Sequence, residues 1–402
     1  MFERDALRRL SYQPVRYGRA FVQALVPETV HYSGGEGTML TVGRLPRAAS
    51  IAAIICGEEV SAGRVRHSPR SVVLARCLRF AAQGGVSVIA PLSARTTPRR
   101  FDTLTIEVPL LVDLSRPLPR TLEALPDLLR TSTTREDLRR IRRAGFTYRI
   151  TADPDAVRTF HARYSTPLVN RRFPEDGQLV SVEYYLQRLT EGGELICLEL
   201  DGEWVAGIFN TLCDEAYELG ALGIRDADEE IRKKHAVAAL FVHSFQRAVE
   251  LGRAEATLGR SLPFLGKGPV WFKAKWGGVL RLDPSIPRLR MMLNLRHGAV
   301  RRLLSERPVI HCDRGELAVS LWQEPGPTAL GNTIRDAGRY PGIARWFVLG
   351  EPETLAGGGE ALAANPKIVP VPVELNAAGP LWLGEVLQSP PVARPVGKTT
   401  ET

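Results

Sequence analysis

The chain has 402 residues, longer than one ordinary domain, and its 44% hydrophobic content is enough to bury a core in each of two or three units. Its 53 Lys and Arg residues against 44 Asp and Glu give a formal charge of +9, which favours anionic partners such as phosphates, nucleic acid or an acidic membrane face. A general preference for Arg also explains this excess, since only seven basic residues are Lys, so charge alone leaves the partner open.

The cysteines are odd in number and widely spaced, with no C-x-x-C pair: Cys56, Cys77, Cys197, Cys213 and Cys312. This spacing favours reduced, buried thiols over a disulfide framework or a zinc site. The start, MFERDALRRL, is charged and has no signal-peptide core, and the longest aliphatic run, IAAIIC from Ile51, is too short to cross a bilayer. We therefore expect a cytoplasmic protein with no transmembrane segment.

Residues 1–114 have the pattern of a small α/β unit. Apolar runs predict strands in RAFVQALV, GTMLTVGRL, SIAAIIC, VSVIAPLS and LTIEVPLLVDL, and SVVLARCLRFAAQGG predicts a helix that ends at its glycines. The glycine-rich SGGEGT at Ser33 precedes a strand and not a helix, which makes it a poor phosphate loop.

Residues 115–285 alternate helices and strands. TTREDLRRIRRAG predicts a helix with Thr133 and Glu136 at the spacing of a capping box and Gly145 at its end. FTYRIT predicts a strand, and PDAVRTFHARYSTPL and SVEYYLQRLTEGG predict helices. ELICLELDGEWVAGIFNTL predicts a hairpin that turns at Asp201 and Gly202. EAYELGALGI predicts the next strand, HAVAALFVHSFQRAVELG a long amphipathic helix, and EATLGRS a last strand.

Residues 286–388 predict a further α/β region whose role the sequence does not indicate. LRMMLNLRHGAVRRLLSER predicts a basic helix, and ELAVSLWQEP, ARWFVLGE and KIVPVPVEL predict strands. The proline-rich, polar residues 389–402 predict a disordered tail.

The motif LGRSLPFLGKGPVWFKAKWGG places two of the few lysines, Lys273 and Lys275, between tryptophans. With the preceding order of elements, and with GEWVAGIFNTL and YELGALG, it resembles the FemAB-like branch of the GCN5-related N-acetyltransferase (GNAT) superfamily over roughly residues 110–283. The resemblance implies a bacterial α/β protein with a mixed sheet flanked by helices. FemAB-like proteins commonly carry two such folds, so residues 1–114 could be a degenerate first copy.

The resemblance also implies a site on the strand YELGALGI. In this family the corresponding strand splays from its neighbour and holds the acyl carrier, so Gly220 and Ala221 would contact the carrier. Glu218 is the best-placed carboxylate for a general base, and Tyr217 or Tyr164 could donate a proton. The alternative is a central strand that only packs against helices.

The start of the long helix is where the family binds carrier phosphates, because unpaired N–H groups and the helix dipole attract anions there. Here the cations are Arg232, Lys233 and Lys234, without the family's glycines, so aminoacyl-tRNA could replace coenzyme A as carrier. The alternative is a solvated helix start balanced by neighbouring acids.

The resemblance assigns Lys273 to a substrate phosphate or to the charge that builds in the transition state, with aromatic residues as a low-dielectric wall. The alternative is an edge strand on which Lys273 and Lys275 point outward while Phe272 and Trp276 enter the core. Lys275 is expected to be solvated. Another basic cluster, on or beside the predicted helix after Thr134, has three interpretations: a solubilising surface, a contact for tRNA or lipid-linked phosphates, or a membrane-facing surface. Its members are Arg135, Arg139, Arg140, Arg142, Arg143 and Arg149.

These observations predict an N-acyltransferase or aminoacyltransferase without a metal, since the seven histidines show no metal-binding spacing. The donor would be acyl-CoA or aminoacyl-tRNA. The acceptor would be an amine on an anionic molecule, small or lipid-linked, such as a cell-envelope or polysaccharide precursor. Two alternatives stay open: an acyl-CoA-dependent enzyme that acts on a small natural product, and a scaffold that kept the fold without catalysis.

Overall fold

The structure is a computed structural model that describes residues 28–42, 47–57, 59–67, 70–89, 103–172, 180–213, 215–266, 268–357, 362, 364–376 and 379–388. The predicted strand RAFVQALV, the predicted tail 389–402 and Lys267 lie outside these residues. The chain divides into two compact units. The first takes its residues from 1–110, 287–337 and 344–402, and the second from 111–286 and 338–343.

The strands are β1 (Glu28–Ser33), β2 (Thr38–Val42), β3 (Ser61–Ala62), β4 (Arg66–His67), β5 (Val86–Ile89), β6 (Ile106–Pro109), β7 (Val112–Pro117), β8 (Thr147–Thr151), β9 (Glu194–Leu200), β10 (Glu203–Cys213), β11 (Ala216–Ile224), β12 (Glu255–Ser261), β13 (Val279–Arg281), β14 (Arg288–Met292), β15 (Val309–Asp313), β16 (Glu316–Trp322), β17 (Arg345–Gly350) and β18 (Ile368–Pro372). The α-helices are α1 (Ala48–Cys56), α2 (Arg70–Ala82), α3 (Leu125–Leu129), α4 (Arg135–Ala144), α5 (Pro154–Phe160), α6 (Thr166–Arg172), α7 (Val182–Thr190), α8 (Glu229–Lys233), α9 (Ala236–Glu250), α10 (Pro269–Lys275), α11 (Gly298–Glu306), α12 (Pro327–Arg339), α13 (Pro352–Ala356) and α14 (Leu383–Gln388). A π-helical turn, His161–Ser165, joins α5 to α6.

Eleven of the described strands form the mixed sheet of the first unit, in the order β18-β17-β16-β15-β6-β14-β5-β2-β1-β3 with β4 also paired to β1. The sequence analysis predicts two regions, residues 1–114 and residues 286–388. In the structure β14 pairs with both β5 and β6, and β15 pairs with β6. The two segments therefore build one sheet instead of two regions. Pairing between strands so far apart in the chain leaves no local pattern in the sequence.

Two element predictions in the first unit are wrong. SIAAIIC is in helix α1, where Ile51, Ala52 and Ile55 are buried at the spacing of one helical face. LRMMLNLRHGAVRRLLSER begins as strand β14, since Leu289 and Met291 are buried while Arg288 and Arg290 are only partly so. This two-residue alternation is that of a strand, and the helix begins only at Gly298.

The second unit contains a seven-stranded sheet in the order β13-β7-β12-β11-β10-β9-β8. Strands β8 to β11 form an antiparallel meander, and the predicted turn between β9 and β10 is confirmed: Asp201 and Gly202 have φ angles of 53° and 80°, as a two-residue hairpin turn requires. The single strand predicted for LTIEVPLLVDL is instead two, β6 and β7, which belong to different sheets.

Helices cover both faces of this sheet. Helix α9 packs on β9 to β12 and contacts α4, and the opposite face holds an aromatic core in which Phe160 and Tyr185 pack against Phe209. The predicted capping box of α4 does not form. Thr134 is the N-cap residue without a side-chain cap, and the Glu136 carboxylate accepts hydrogen bonds from Arg139 and Arg140 instead.

Candidate functional site

Strands β11 and β12 of the second unit separate part-way along their length. Their parallel pairing joins Ala216 to Glu255, Tyr217 to Ala256 and Glu218 to Thr257. Within the described residues, positions 219–224 and 258–261 continue as strands without pairing to each other. We call this opening the strand fork. Along these positions β11 has no strand partner on the side of the fork, where an extended ligand could pair with its backbone.

A bulge in β11 lies at the start of the fork. Asn210 of β10 pairs with Leu219, but Ile208 pairs with Leu222, so Gly220 and Ala221 together lie opposite one residue, Phe209. A Cβ atom on Gly220 would overlap the carbonyl oxygen of Phe209, so the bulge needs glycine at this position. The structure thus brings the two predicted carrier-binding residues to the opening of the fork.

A buried polar network supports the bulge from the α9 side. The backbone N–H of Gly220 donates to Asn210 Oδ1 (3.3 Å), and Asn210 Nδ2 donates to Tyr217 Oη at 3.1 Å. The Tyr217 hydroxyl donates to Glu194 Oε1 (2.7 Å). Arg247 of α9 in turn holds Glu194 with two bonds of 2.9 Å, from Nε to Oε1 and from Nη2 to Oε2. The charged pair that Glu194 of β9 forms with Arg247 of α9 is therefore connected by hydrogen bonds to the backbone of the fork.

Tyr217 has no exposed surface, and burial, followed by the charge of Glu194, raises its pKa. The structure therefore places it beneath the fork, as a support for Asn210 and Gly220. Sequence reasoning missed Asn210, Glu194 and Arg247. The available signal was that these polar residues stand within apolar strand and helix patterns, where an unpaired polar group would be destabilising.

Glu218 lies at the last paired position before the fork. Its Oε2 accepts hydrogen bonds from Thr211 Oγ1 (3.2 Å) and from the Cys213 thiol (3.4 Å), and Arg188 Nη2 lies 3.9 Å away. The side chain is 46% exposed, which leaves the carboxylate accessible to a substrate. It is the predicted catalytic residue whose placement suits proton transfer best.

Lys273 lies on helix α10, so the edge strand considered for this motif is absent. Its Nζ donates to the carbonyl oxygens of Gly259 (2.9 Å) and Arg260 (3.0 Å) and to Ser261 Oγ (3.1 Å). These acceptors form the splayed end of β12. The three N–H bonds of an ammonium point in different directions from one nitrogen and can each reach one of three surrounding oxygens. The N–H bonds of a guanidinium lie in one plane and fit this arrangement less well, which gives a physical reason for Lys in a chain rich in Arg.

We predict that replacing Lys273 by Met lowers the free energy of unfolding by about 1–3 kcal/mol, because partly buried acceptors lose their donor. Replacement by Arg should restore little of this loss. Chemical denaturation of the two variants and the wild type measures both effects. Unchanged stability together with lost activity would contradict this role and return Lys273 to direct substrate contact.

Lys275 is not solvated as expected. Its Nζ lies 2.6 Å from Asp137 Oδ2, the two side chains are 14% and 9% exposed, and the ammonium lies 5.4 Å from the centre of the Trp271 ring. Phe272 packs edge-on against Phe241 of α9, and Trp276 is fully buried. Phe272 therefore packs α10 against α9, and the pair of Lys275 with Asp137 joins α10 to α4, while Trp271 stays 40% exposed.

A basic pocket of about 370 Å³ lies at the N-terminus of α9. Its lining consists of four Arg and Lys side chains, a His and three further residues: Arg140, Arg143, Lys233, Lys234, His235, Ala144, Leu200 and Asp201. The predicted Lys233 and Lys234 thus meet two arginines of α4 that the sequence alone did not connect to them. Arg232 does not line the pocket and pairs with Glu229 at 2.5 Å. Lys233 also bonds to Glu230 (2.7 Å), an exposed pair that a phosphate could displace.

Over the described parts of the chain, no group of three or more His, Cys, Asp and Glu side chains could hold a metal ion. None of the helices in those parts combines the length and apolarity needed to cross a bilayer.

Residues 130–266 match a family model described as "Acetyltransferase (GNAT) domain". The match runs from the residue after α3 through the fork and confirms the resemblance to the GNAT superfamily seen in the sequence. A comparison with curated proteins finds no match.

Among solved structures, FemX shares 10% identity over 64% of this chain and 81% of its own, with a TM-score of 0.37. The C-terminal domain of a putative lysylphosphatidylglycerol synthetase from Agrobacterium fabrum shares 13% identity over 66% of this chain and 80% of its own, with a TM-score of 0.31. L-PGS from Bacillus licheniformis is 14% identical over 66% of this chain and 80% of its own, with a TM-score of 0.32.

Proposed function

We propose that the protein transfers an acyl or aminoacyl group from a phosphate-bearing carrier to an amine. The premise is the match of residues 130–266 to the GNAT acetyltransferase domain. The observation that carries the proposal is the strand fork with the Gly220 bulge at its opening. An unpaired strand edge inside a sheet is available to pair with an extended ligand.

The carrier arm would extend along the free edge of β11, where backbone N–H groups can bond to it and face the oxyanion that forms at the acyl carbon. The amine nitrogen attacks that carbon, a C–N bond forms, and the bond from carbon to the carrier's sulfur or oxygen breaks. The attacking nitrogen must lose a proton. Glu218 is the accessible carboxylate beside the fork and would take it, while the carrier leaves with a proton.

The carrier phosphates would bind in the basic pocket. The fork opens toward the C-terminal end of β11, and the chain passes from that end through residues 225–235 into the start of α9. The pocket contains Lys233, Lys234, Arg140 and Arg143, and the N–H groups of the first turn of α9 begin beside it. Both coenzyme A and aminoacyl-tRNA carry phosphates that this charge would attract.

The acceptor is proposed to be an amine on an anionic small or lipid-linked molecule, such as a cell-envelope or polysaccharide precursor. The net charge of +9 supports an anionic acceptor because it raises the local concentration of anions. An acyl-CoA-dependent enzyme acting on a small natural product differs from this proposal in its donor and acceptor, so the choice of donor separates the two.

Binding isotherms for acetyl-CoA, longer acyl-CoAs and an aminoacyl-tRNA test the proposal. We expect one carrier class to bind, and the Lys233→Ala, Lys234→Ala double variant to bind it at least about tenfold more weakly, since two charge-assisted contacts are lost. Arg232→Ala is the matched control, because Arg232 belongs to the same helix, carries the same charge and does not line the pocket.

Binding that both variants retain would place the phosphates elsewhere and overturn the assignment of the basic pocket. Absence of binding by every carrier would favour the non-catalytic scaffold. Binding of acyl-CoA but not of tRNA would favour the small-molecule enzyme, and the reverse would favour aminoacyl transfer.

A further inference from the structure

A second cavity of the second unit, of about 600 Å³, is used by neither the fork nor the basic pocket. It lies among helices α3, α4 and α9 and strand β8. Its lining combines apolar side chains with three arginines: Leu122, Leu125, Pro126, Leu129, Arg130, Arg135, Leu138, Ile141, Arg142, Gly145, Phe146, Tyr148, Val242, His243, Gln246 and Glu250. We call it the arginine-rimmed pocket. Its volume falls within the range of about 300–1,000 Å³ that is usual for small-ligand sites.

The pocket is separate from the proposed catalytic site. Its sheet residue, Tyr148, belongs to β8, and strands β9 and β10 stand between β8 and the fork strand β11. Helix α4 has two different faces. Arg135, Leu138 and Arg142 line the arginine-rimmed pocket, whereas Arg140 and Arg143 line the basic pocket.

The interior of the pocket is mostly apolar, with the His243 ring among its polar groups. Leu125, Leu129 and Ile141 are buried, and Val242 of α9 closes the inner wall. The Tyr148 and His243 rings stack with centroids 4.1 Å apart, and burial lowers the pKa of His243, which keeps that wall neutral. A mostly apolar interior favours a hydrocarbon ligand. A polar ligand would lose its hydrogen bonds to water there and find few partners in the lining.

The rim has the opposite character. Arg130, Arg135 and Arg142 are exposed, and within the described chain none of the three forms an ion pair. The acidic residue of the lining, Glu250, lies 3.6 Å from Arg247 and is partly neutralised by it. Three unpaired guanidinium groups around an apolar cavity are complementary to an anionic headgroup.

The apolar lining also reaches the surface just before α3. Leu122, which lines the pocket, is 42% exposed. A leucine exposed beside arginines that form no ion pair within the described residues provides an entrance suited to a molecule with an apolar chain and a charged head.

We propose that the arginine-rimmed pocket binds one molecule of an anionic amphiphile, with its hydrocarbon chain between α3, α4 and α9 and its phosphate or carboxylate head against Arg130, Arg135 and Arg142. This inference concerns a site away from the fork and does not depend on the proposed acyl transfer.

The test uses the full chain and dodecyl phosphate as the probe, below its micelle concentration, with binding measured by calorimetry. Dodecanol supplies the chain without the charge, and inorganic phosphate supplies the charge without the chain. We expect dodecyl phosphate to bind at least about tenfold more tightly than either. Equal binding of dodecanol would remove the role of the arginines, and absence of dodecyl phosphate binding would overturn the proposal.

Exposed residues provide variants that keep the fold. Arg135→Gln with Arg142→Gln should weaken dodecyl phosphate binding about tenfold or more, and Leu122→Gln should weaken it through the chain. Arg139→Gln is the matched control, because Arg139 lies on the same helix, is exposed and does not line the pocket. Equal losses in the control and the rim variant would assign binding to general charge and contradict the site.

Phosphatidylglycerol vesicles that compete with the probe would identify a membrane lipid as the source of the amphiphile. Vesicles that do not compete would identify a soluble amphiphile, since probe binding to the variants has by then located the site.

Discussion

Replacing Arg247 by Met should lower the free energy of unfolding by about 3 kcal/mol, because the Glu194 carboxylate would keep its charge in a nearly buried site after losing both hydrogen bonds from Arg247. The Glu194 side chain is 11% exposed and accepts both bonds from Arg247 at 2.9 Å. Removing one member of such a pair is more destabilising than removing both, since the remaining charge stays desolvated.

Carrier binding should weaken in the same variant, because the network that ends at Arg247 positions Asn210 and the N–H of Gly220. Chemical denaturation measures the stability, and the isotherms described above measure the binding. The double variant Glu194→Gln, Arg247→Met removes both charges and should recover a large part of the lost stability.

Arg225→Met is a suitable control for the stability effect. Arg225 pairs with Glu203 at 3.1 Å, but Glu203 is 72% exposed, so its loss should change stability by less than about 1 kcal/mol. A loss for Arg247→Met no larger than that of the control would show that the network contributes nothing beyond a surface ion pair.

Acid should destabilise the first unit through His311, by about 2–3 kcal/mol between about pH 7.5 and about pH 4.5. His311 is 2% exposed, its Nε2 lies 3.0 Å from Ser320 Oγ, and its ring stacks on Phe347. Burial lowers its pKa to about 4. The unfolded chain, with the ordinary value near 6.5, binds a proton first as the pH falls, so the stability contributed by the neutral ring is present above about pH 6.5 and is lost toward pH 4.

The measurement compares the wild type with His311→Gln, which cannot titrate and can still bond to Ser320. Denaturation midpoints across this pH range should fall more steeply for the wild type than for the variant, because other titrating groups, including Asp313 and Arg345 beside the ring, are common to both. Parallel curves for the two proteins would show that His311 does not govern the acid response.

Much of the second unit was predictable from the sequence because its signals are local. Short apolar runs marked β8 to β12, Asp201 and Gly202 marked the hairpin, and the amphipathic stretch before Gly252 marked α9. The same reasoning failed where an apolar run has no polar residues to show a period. IAAIIC, which starts at Ile51, is apolar throughout and fits a strand as well as the helix it forms.

Some residues of the candidate site could likewise be predicted from the sequence, and others could not. Gly220 and Ala221 could be selected from the sequence because glycine near a strand end signals a bulge or a close backbone approach, and the GNAT resemblance placed them beside the carrier. Asn210, Glu194 and Arg247 could not be selected, since each belongs to a different element and their hydrogen bonds exist only in the folded sheet.

The sequence by itself determined the order of β8 to β12 and of the helices among them, the resemblance of residues 130–266 to the GNAT superfamily and the excess of positive charge, because each follows from residue types at short spacing. The tertiary structure alone decided that strands β14 to β18 complete the sheet begun by β1 to β6, and that Lys275 is largely covered and paired with Asp137. It also decided that Lys273 binds the end of β12. These outcomes depend on which distant groups meet, and that choice is made by burial and pairing across the whole fold, where no local pattern records it.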